Sequence, residues 1–174
     1  MPKTEPTEDQ TSSDIRADFR KLMGLFATGV CVVAVPAGPQ SVSAMTINSF
    51  VSVSLDPMLV CWSLQNDASQ FDTYADADMF SVSILAERHA GLARRYAARG
   101  DTMLRPQDFI QSANGLPVIG DALGHLECRR WSLFPAGDHT MIFGEVFAMH
   151  PPAGNPPSDE PLGFFNGAFC SIGT

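Results

Sequence analysis

Residues 41–57 read SVSAMTINSFVSVSLDP. From Met45 to Leu55 the odd positions are Met45, Ile47, Ser49, Val51, Val53 and Leu55, and the even ones are Thr46, Asn48, Phe50, Ser52 and Ser54. Successive side chains of a strand point to opposite faces, so this alternation predicts one face in a core and a second face that gathers hydroxyl and amide groups. Ser49, beside Asn48, interrupts the pattern and marks a bulge or bend, a feature that re-aims side chains near a site. The expectation is a β protein that offers a polar strand face to a polar ligand.

Working outward, VCVVAV at 30–35 is continuous and β-branched, which suits a strand buried on both faces, and PAGPQ turns the chain back. Upstream, Ser13 or Asp14 can cap a helix whose Ile15, Phe19, Leu22, Met23 and Phe26 form one apolar stripe, expected to be buried. Residues 1–13 have almost nothing to bury and are expected to form a flexible tail before a single domain at 14–174. Downstream, MLVCWSL (58–64) and MFSVSIL (79–85) read as strands, separated by a short helix through Phe71, Tyr74 and Ala75 with Asp67 or Ser69 as cap. Residues 86–99 form an amphipathic helix with His89, Leu92, Ala93 and Tyr96 on one side. Residues 101–125 read mostly as loop. GHLECRRWSLF and HTMIFGEVFAMH form a tight hairpin joined by PAGD, PPAGNPPSDEP is a linker, and LGFFNGAF returns as a last strand or as a loop over a pocket. The sum is a mainly β chain, an antiparallel barrel of six or seven strands with peripheral helices.

Composition narrows the function. Eleven Lys and Arg against 19 Asp and Glu give a net charge of −8, which argues against nucleic acid as a partner. Cys31, Cys61, Cys128 and Cys170 form no CxxC pair and read as core thiols of a reducing compartment. The N-terminus lacks a basic start followed by an apolar run, and no stretch is long enough to span a membrane, so a soluble cytoplasmic protein is expected. There is no GxGxxG or GxxxxGK[ST], no GxSxG, and the four histidines show no HExxH spacing, so neither a Rossmann domain, a hydrolase nor a metal site is predicted. Tyr96 and Trp131 read as packing residues. Arg88, Arg94, Arg95 and Arg99 read as a solvated face with at most one phosphate contact. His139, in Gly137-Asp138-His139-Thr140 at the hairpin mouth, is the candidate for cofactor contact or proton transfer, with a turn histidine as the competing reading.

Taken together, FRKLMGLFATGVCVVAV, AMTINSFVSVSLDPMLVCWSL, LARRYAARGD and GDHTMIFGEV resemble, in order and spacing over residues 18–169, the flavin reductase family with an FMN-binding split barrel. The resemblance implies a homodimeric, six-stranded antiparallel Greek-key split barrel. It also implies reduction of FMN or FAD by NADH or NADPH, with reduced flavin passed to a partner monooxygenase. By position, Ser43, Ala44, Met45, Thr46, Asn48 and Ser49 would line the isoalloxazine and ribityl chain, with backbone amides of 44–49 donating to the ring edge. Ser63, Leu64, Gln65 and the turn through Ser69 would hold the remainder and its phosphate. His139 would lie near the nicotinamide, and Phe165, Asn166, Gly167 and Ala168 would contribute to pyridine nucleotide binding. Two positions depart from the pattern: Asn166 where relatives often carry Arg, and Ser83 where they often carry Asn. They keep open a flavin- or haem-binding split barrel without reductase turnover.

Overall fold

The computed structural model describes residues 8–38, 41–98, 103–151 and 159–173, with side chains from residue 14 onward. The helices are α1 (Glu8–Gly24), α2 (Phe71–Ala75) and α3 (Ala90–Ala97). The strands are β1 (Thr28–Gly29), β2 (Cys31–Gly38), β3 (Ser41–Ile47), β4 (Val51–Leu55), β5 (Met58–Gln65), β6 (Met79–Ile84), β7 (Ile110–Gln111), β8 (Pro117–Val118), β9 (Gly124–Ala136), β10 (His139–His150), β11 (Leu162–Phe165) and β12 (Ala168–Ser171). Seven of them make one antiparallel sheet in the order β3-β2-β6-β9-β10-β5-β4, within the six or seven read from the pattern and one more than the six that the resemblance implies. The rest form a β1-β11-β12 sheet and a β7-β8 pair.

The deciding stretch is two strands, not one. β3 and β4 lie at opposite ends of the sheet order, yet only Asn48, Ser49 and Phe50 join them. In a flat sheet their axes would stand about 29 Å apart, whereas the link from Ile47 to Val51 reaches at most about 15 Å. The sheet therefore curls until its two edges come within about 15 Å at this corner, although β3 and β4 are not hydrogen-bonded to each other. The bend expected at Ser49 is the corner where the chain passes from one edge to the other. Beyond that corner the expected burial fails: Val51, Val53 and Leu55 are 50%, 48% and 87% exposed. Turning the corner re-aims the strand, so its apolar positions cover nothing in this chain.

Curling makes an inside and an outside, and β2 serves both. Cys31, Val33 and Val35 pack inward with Trp62, Leu64, Phe80, Val82, Cys128 and Ile142. Val30, Val32 and Ala34 pack outward with Val42, Ala44, Leu85, Ala93 and Tyr96, under α3. That division is what a continuous β-branched run implies. Cys31, Cys61 and Cys128 are buried free thiols, and burial pushes Cys31 and Cys128 up to about 12, which leaves both protonated and inert.

Four further expectations change. α1 starts at Glu8, several residues before the proposed cap, and residues 1–7 of the expected tail lie outside the described residues. Its apolar stripe is not buried: Ile15, Phe19, Leu22, Met23 and Phe26 are 47–68% exposed. Trp131, expected to pack, is 55% exposed, whereas Tyr96 is buried as expected. The arginine face is largely paired, Arg88 with Asp121 and Asp159 and Arg95 with Asp108, while Arg94 stacks over Phe169 and Arg99 lies outside the described residues. No helix among the described residues is long and apolar enough to cross a membrane.

Candidate functional site

The two-residue turn Gly137-Asp138 joins β9 to β10, with Gly137 at φ 67°, a conformation glycine adopts without steric cost. It sets His139 as the first residue of β10, paired across the ladder with Gln65 at the end of β5; Met141 pairs with Ser63. Directly opposed residues share a face, so Ser63, Gln65, His139 and Met141 lie together on the outer side, while Trp62, Leu64 and Ile142 fill the interior. His139 is half-buried, and its Nδ1 stands 2.7 Å from Asp138 Oδ1. That contact orients the imidazole and turns Nε2 away from the turn. It also holds the Asp138 carboxyl below the usual carboxylate range, with a smaller contribution from Arg16 on α1.

Asn66, which the sequence did not single out, clamps this turn from β5. Its backbone N–H donates to the Asp138 carbonyl at 2.9 Å and its Nδ2 donates to the Gly137 carbonyl at 3.3 Å. Its Oδ1 accepts the Thr140 hydroxyl at 2.8 Å. The clue was the position of Asn66 at the end of a strand, directly after Gln65, which only the register with His139 makes informative.

The corner at residues 48–50 is anchored on the same strand. The Ser63 backbone N–H donates to Ser49 Oγ at 3.1 Å, so the corner is tied two residues from Gln65. Asn48 is exposed beside it, and Thr46 carries a buried hydroxyl without a hydrogen-bond partner among the described residues. Gln65 and Ser69 are exposed, and Ser49 and Ser63 are half-buried. The other expected cradle residues point elsewhere. Ser43, Ala44 and Leu64 are each 0% exposed; the Ser43 hydroxyl donates to Gln70 and lies 3.0 Å from the Tyr74 hydroxyl. Such residues can offer a ligand their backbone only. Met45 packs partly into the interior.

The C-terminal residues form a β-hairpin. Phe165 pairs with Ala168, and Asn166 and Gly167 take φ 50° and 77°, the positive values that an Asn-Gly two-residue turn supplies. Asn166 thus fills a turn position, and its backbone N–H donates to the Gly24 carbonyl at the end of α1. β1 completes the sheet, pairing Thr28 with Phe164, and the Thr28 hydroxyl is a second buried group without a partner among the described residues. Ser83 is also locally occupied: its hydroxyl, 1% exposed, accepts the Ile119 N–H at 3.0 Å. At the far end of the β9-β10 hairpin, His125, Glu127 and His150 come together, a ligand set that motif spacing along one segment could not reveal.

The chain is similar to known proteins over nearly its whole length. Residues 23–173 match the flavin reductase like domain. It is 39% identical over 152 residues to the FMN reductase (NADH) SmoA of Agrobacterium fabrum, covering 87% of this chain and 83% of the relative. It is 35% identical over 148 residues to the NADH-dependent flavin reductase StyB of Pseudomonas fluorescens, covering 84% of each. Its fold superposes, with a TM-score of 0.81 at 34% identity, on the Streptomyces globisporus NADH:FAD oxidoreductase SgcE6 in complex with NAD and FAD fragments, covering 92% of this chain and 94% of that one. The family match across residues 23–173, together with relatives 35–39% identical over more than four fifths of the chain, shows that the chain belongs to the flavin reductase family.

Proposed function

We propose that the protein is an NADH-dependent flavin reductase that takes up FMN or FAD along residues 43–49 and 63–69 and passes the reduced flavin to a partner monooxygenase. The observation that carries this reading is the convergence on one end of β5: Ser63 holds the corner at Ser49, and Gln65 pairs with His139. The donor set fits a flavin. The unpartnered Thr46 hydroxyl suits the acceptor-rich edge of the isoalloxazine, and half-buried Ser49 and Ser63 suit the polar chain that follows. Relatives named as NADH-dependent FMN or FAD reductases, and as the reductase component of a trigonelline monooxygenase, support the same reading.

Bound flavin supplies the redox chemistry, taking up a hydride and a proton as NADH becomes NAD⁺. The chain's part is positional. Backbone amides of residues 44–49 and the Thr46 hydroxyl would donate to the ring edge, and His139, aimed by Asp138 and clamped through Asn66, would rest against the nicotinamide. The hairpin turn Asn166-Gly167 and Thr28 would border the pyridine nucleotide. Without Arg at position 166, the nucleotide's phosphates lose a bidentate charged partner there.

The reading includes a Greek-key split barrel over residues 14–174, supported by the curled sheet and the short link between its edges. It includes a homodimer, supported by the bare apolar stripe of α1 and by exposed Val51, Val53, Leu55 and Phe134. A reducing cytoplasm suits four free cysteines.

The test is steady-state nucleotide oxidation with FMN or FAD, each with NADH or NADPH. Turnover with NADH and either flavin is expected, with NADPH slower. Protein that oxidises neither nucleotide in the presence of either flavin refutes the reading. His139→Ala is expected to weaken the apparent affinity for NADH more than that for flavin; equal effects return His139 to a turn residue.

A further inference from the structure

The outer ends of β9 and β10 carry a cluster that the reductase reading does not use. His125 and His150 are register partners, and their rings stack with centroids 4.4 Å apart. Glu127, two residues along β9 and therefore on the same face as His125, is 0% exposed. One of its oxygens, Oε1, accepts Asn114 Nδ2 at 3.2 Å, while Oε2 has no hydrogen-bond partner among the described residues. His150 Nε2 is buried and lies 3.3 Å from Glu127 Oε1, yet it makes no hydrogen bond there. Ligand atoms of His125, Glu127 and His150 all lie within 4.8 Å of one another.

We propose that His125, Glu127 and His150 form a binding site for a divalent transition metal of the zinc class. Three observations converge on this. Two imidazoles and one carboxylate are the donor set that such ions favour over magnesium or calcium. Tetrahedral coordination with bonds of about 2.1 Å separates ligand atoms by roughly 3.4 Å. The His150–Glu127 pair already has that spacing, and the other pairs need to close by at most about 1.4 Å. A buried carboxylate with one unpartnered oxygen is costly unless a cation compensates it, and Asn114 orients that carboxylate as a second layer of hydrogen bonds does in metal sites.

A fourth ligand would be water or a small exogenous donor. The site lies at the opposite end of β10 from His139, roughly 36 Å along the strand. Its effect is therefore to pin the strand ends, and hydride transfer proceeds without it.

The experiment uses the full chain without a polyhistidine tag, stripped with a chelator and titrated with zinc chloride by calorimetry and thermal unfolding. One equivalent per chain is expected, with a rise in Tm of about 5–10 °C at a hundredfold excess over Kd. The double variant H125F/H150F keeps stacked rings but no ligand nitrogen; it is expected to lose stoichiometric binding and the Tm shift while reducing FMN with NADH at the wild-type rate. Electron paramagnetic resonance of Cu(II) bound to the wild-type chain gives a reading independent of that variant's folding, and hyperfine structure from two imidazole nitrogens is expected. His89 and His139 cannot mimic it, since each stands beside an aspartate at a separate place. No stoichiometric zinc binding by the wild type, unaltered binding by H125F/H150F, or copper held by fewer than two imidazoles overturns the proposal.

Discussion

Asn66→Ala isolates the device that holds His139. The substitution removes the 2.8 Å bond from the Thr140 hydroxyl and the 3.3 Å bond to the Gly137 carbonyl. It keeps the backbone bond from Asn66 to Asp138, so the turn loosens but stays closed. The half-buried Thr140 bond contributes about 1 kcal/mol and the long exposed one about 0.5 kcal/mol. If the whole of that serves to hold His139 against the nicotinamide, KM for NADH rises about tenfold. KM for FMN stays near its wild-type value, because the flavin side is held by the separate Ser49–Ser63 bond. Steady-state kinetics with NADH varied at saturating FMN, and then the reverse, separates the two. Thr140→Val removes the same side-chain bond, so Asn66→Ala/Thr140→Val is expected to cost little more than Asn66→Ala alone, with a coupling of about 1 kcal/mol. Two outcomes refute the reasoning: KM values for NADH and FMN that rise together, or an Asn66→Ala effect that simply adds to that of Thr140→Val.

Other consequences follow from the same geometry. Gly144→Ala sets a methyl group 3.0 Å from Cys128 Cβ and 2.9 Å from Phe80 Cε1, in a ring that is 2% exposed and packed edge-on against Trp62; urea denaturation is expected to show about 1–3 kcal/mol of lost stability, and an unchanged midpoint contradicts the packing. Asp138 has its pKa lowered chiefly by His139, so its contribution to stability is present above the ordinary carboxylate pKa and fades as pH falls through the lowered value; a carboxyl NMR titration is expected to return it to the ordinary range in His139→Ala. Phe19→Asp/Phe26→Asp charges a stripe that is exposed in the single chain, and sedimentation velocity is expected to show monomers where the wild type sediments as a dimer. A double variant that still sediments as a dimer removes α1 from the interface.

The sequence carried local structure well wherever burial was decided within the chain. The VCVVAV run is buried on both faces as its continuity required, and the GDHT turn opens β10 as the hairpin pattern required. It failed at faces left uncovered among the described residues: Val51, Val53, Leu55 and the α1 stripe have the periodicity of core residues and are exposed. Periodicity reports that a face is apolar, and is silent about what covers it. Side-chain polarity misleads in a related way: Ser43 is polar, but its hydroxyl is engaged by Tyr74 and Gln70, so it can offer a ligand only its backbone. Asn66 and the His125–Glu127–His150 cluster became visible only through cross-strand register, which no motif within one segment encodes.

Register also explains why the functional face needs so little specification of its own. Trp62, Leu64 and Ile142 are fully buried, and sliding β5 against β10 by one residue would expose Trp62 and Leu64 and turn Ser63 and Gln65 inward against Ile142 instead. The large interior side chains therefore choose the register, and the outer residues inherit their places opposite them. Ser63 and Gln65 then stand about 7 Å apart on one side of a ladder-bonded strand, the first tied to the flavin-side corner at Ser49 and the second paired with His139. A core of Trp and Leu with no chemistry of its own thus fixes the spacing of the outer-face residues that the proposed reading assigns to flavin and nicotinamide.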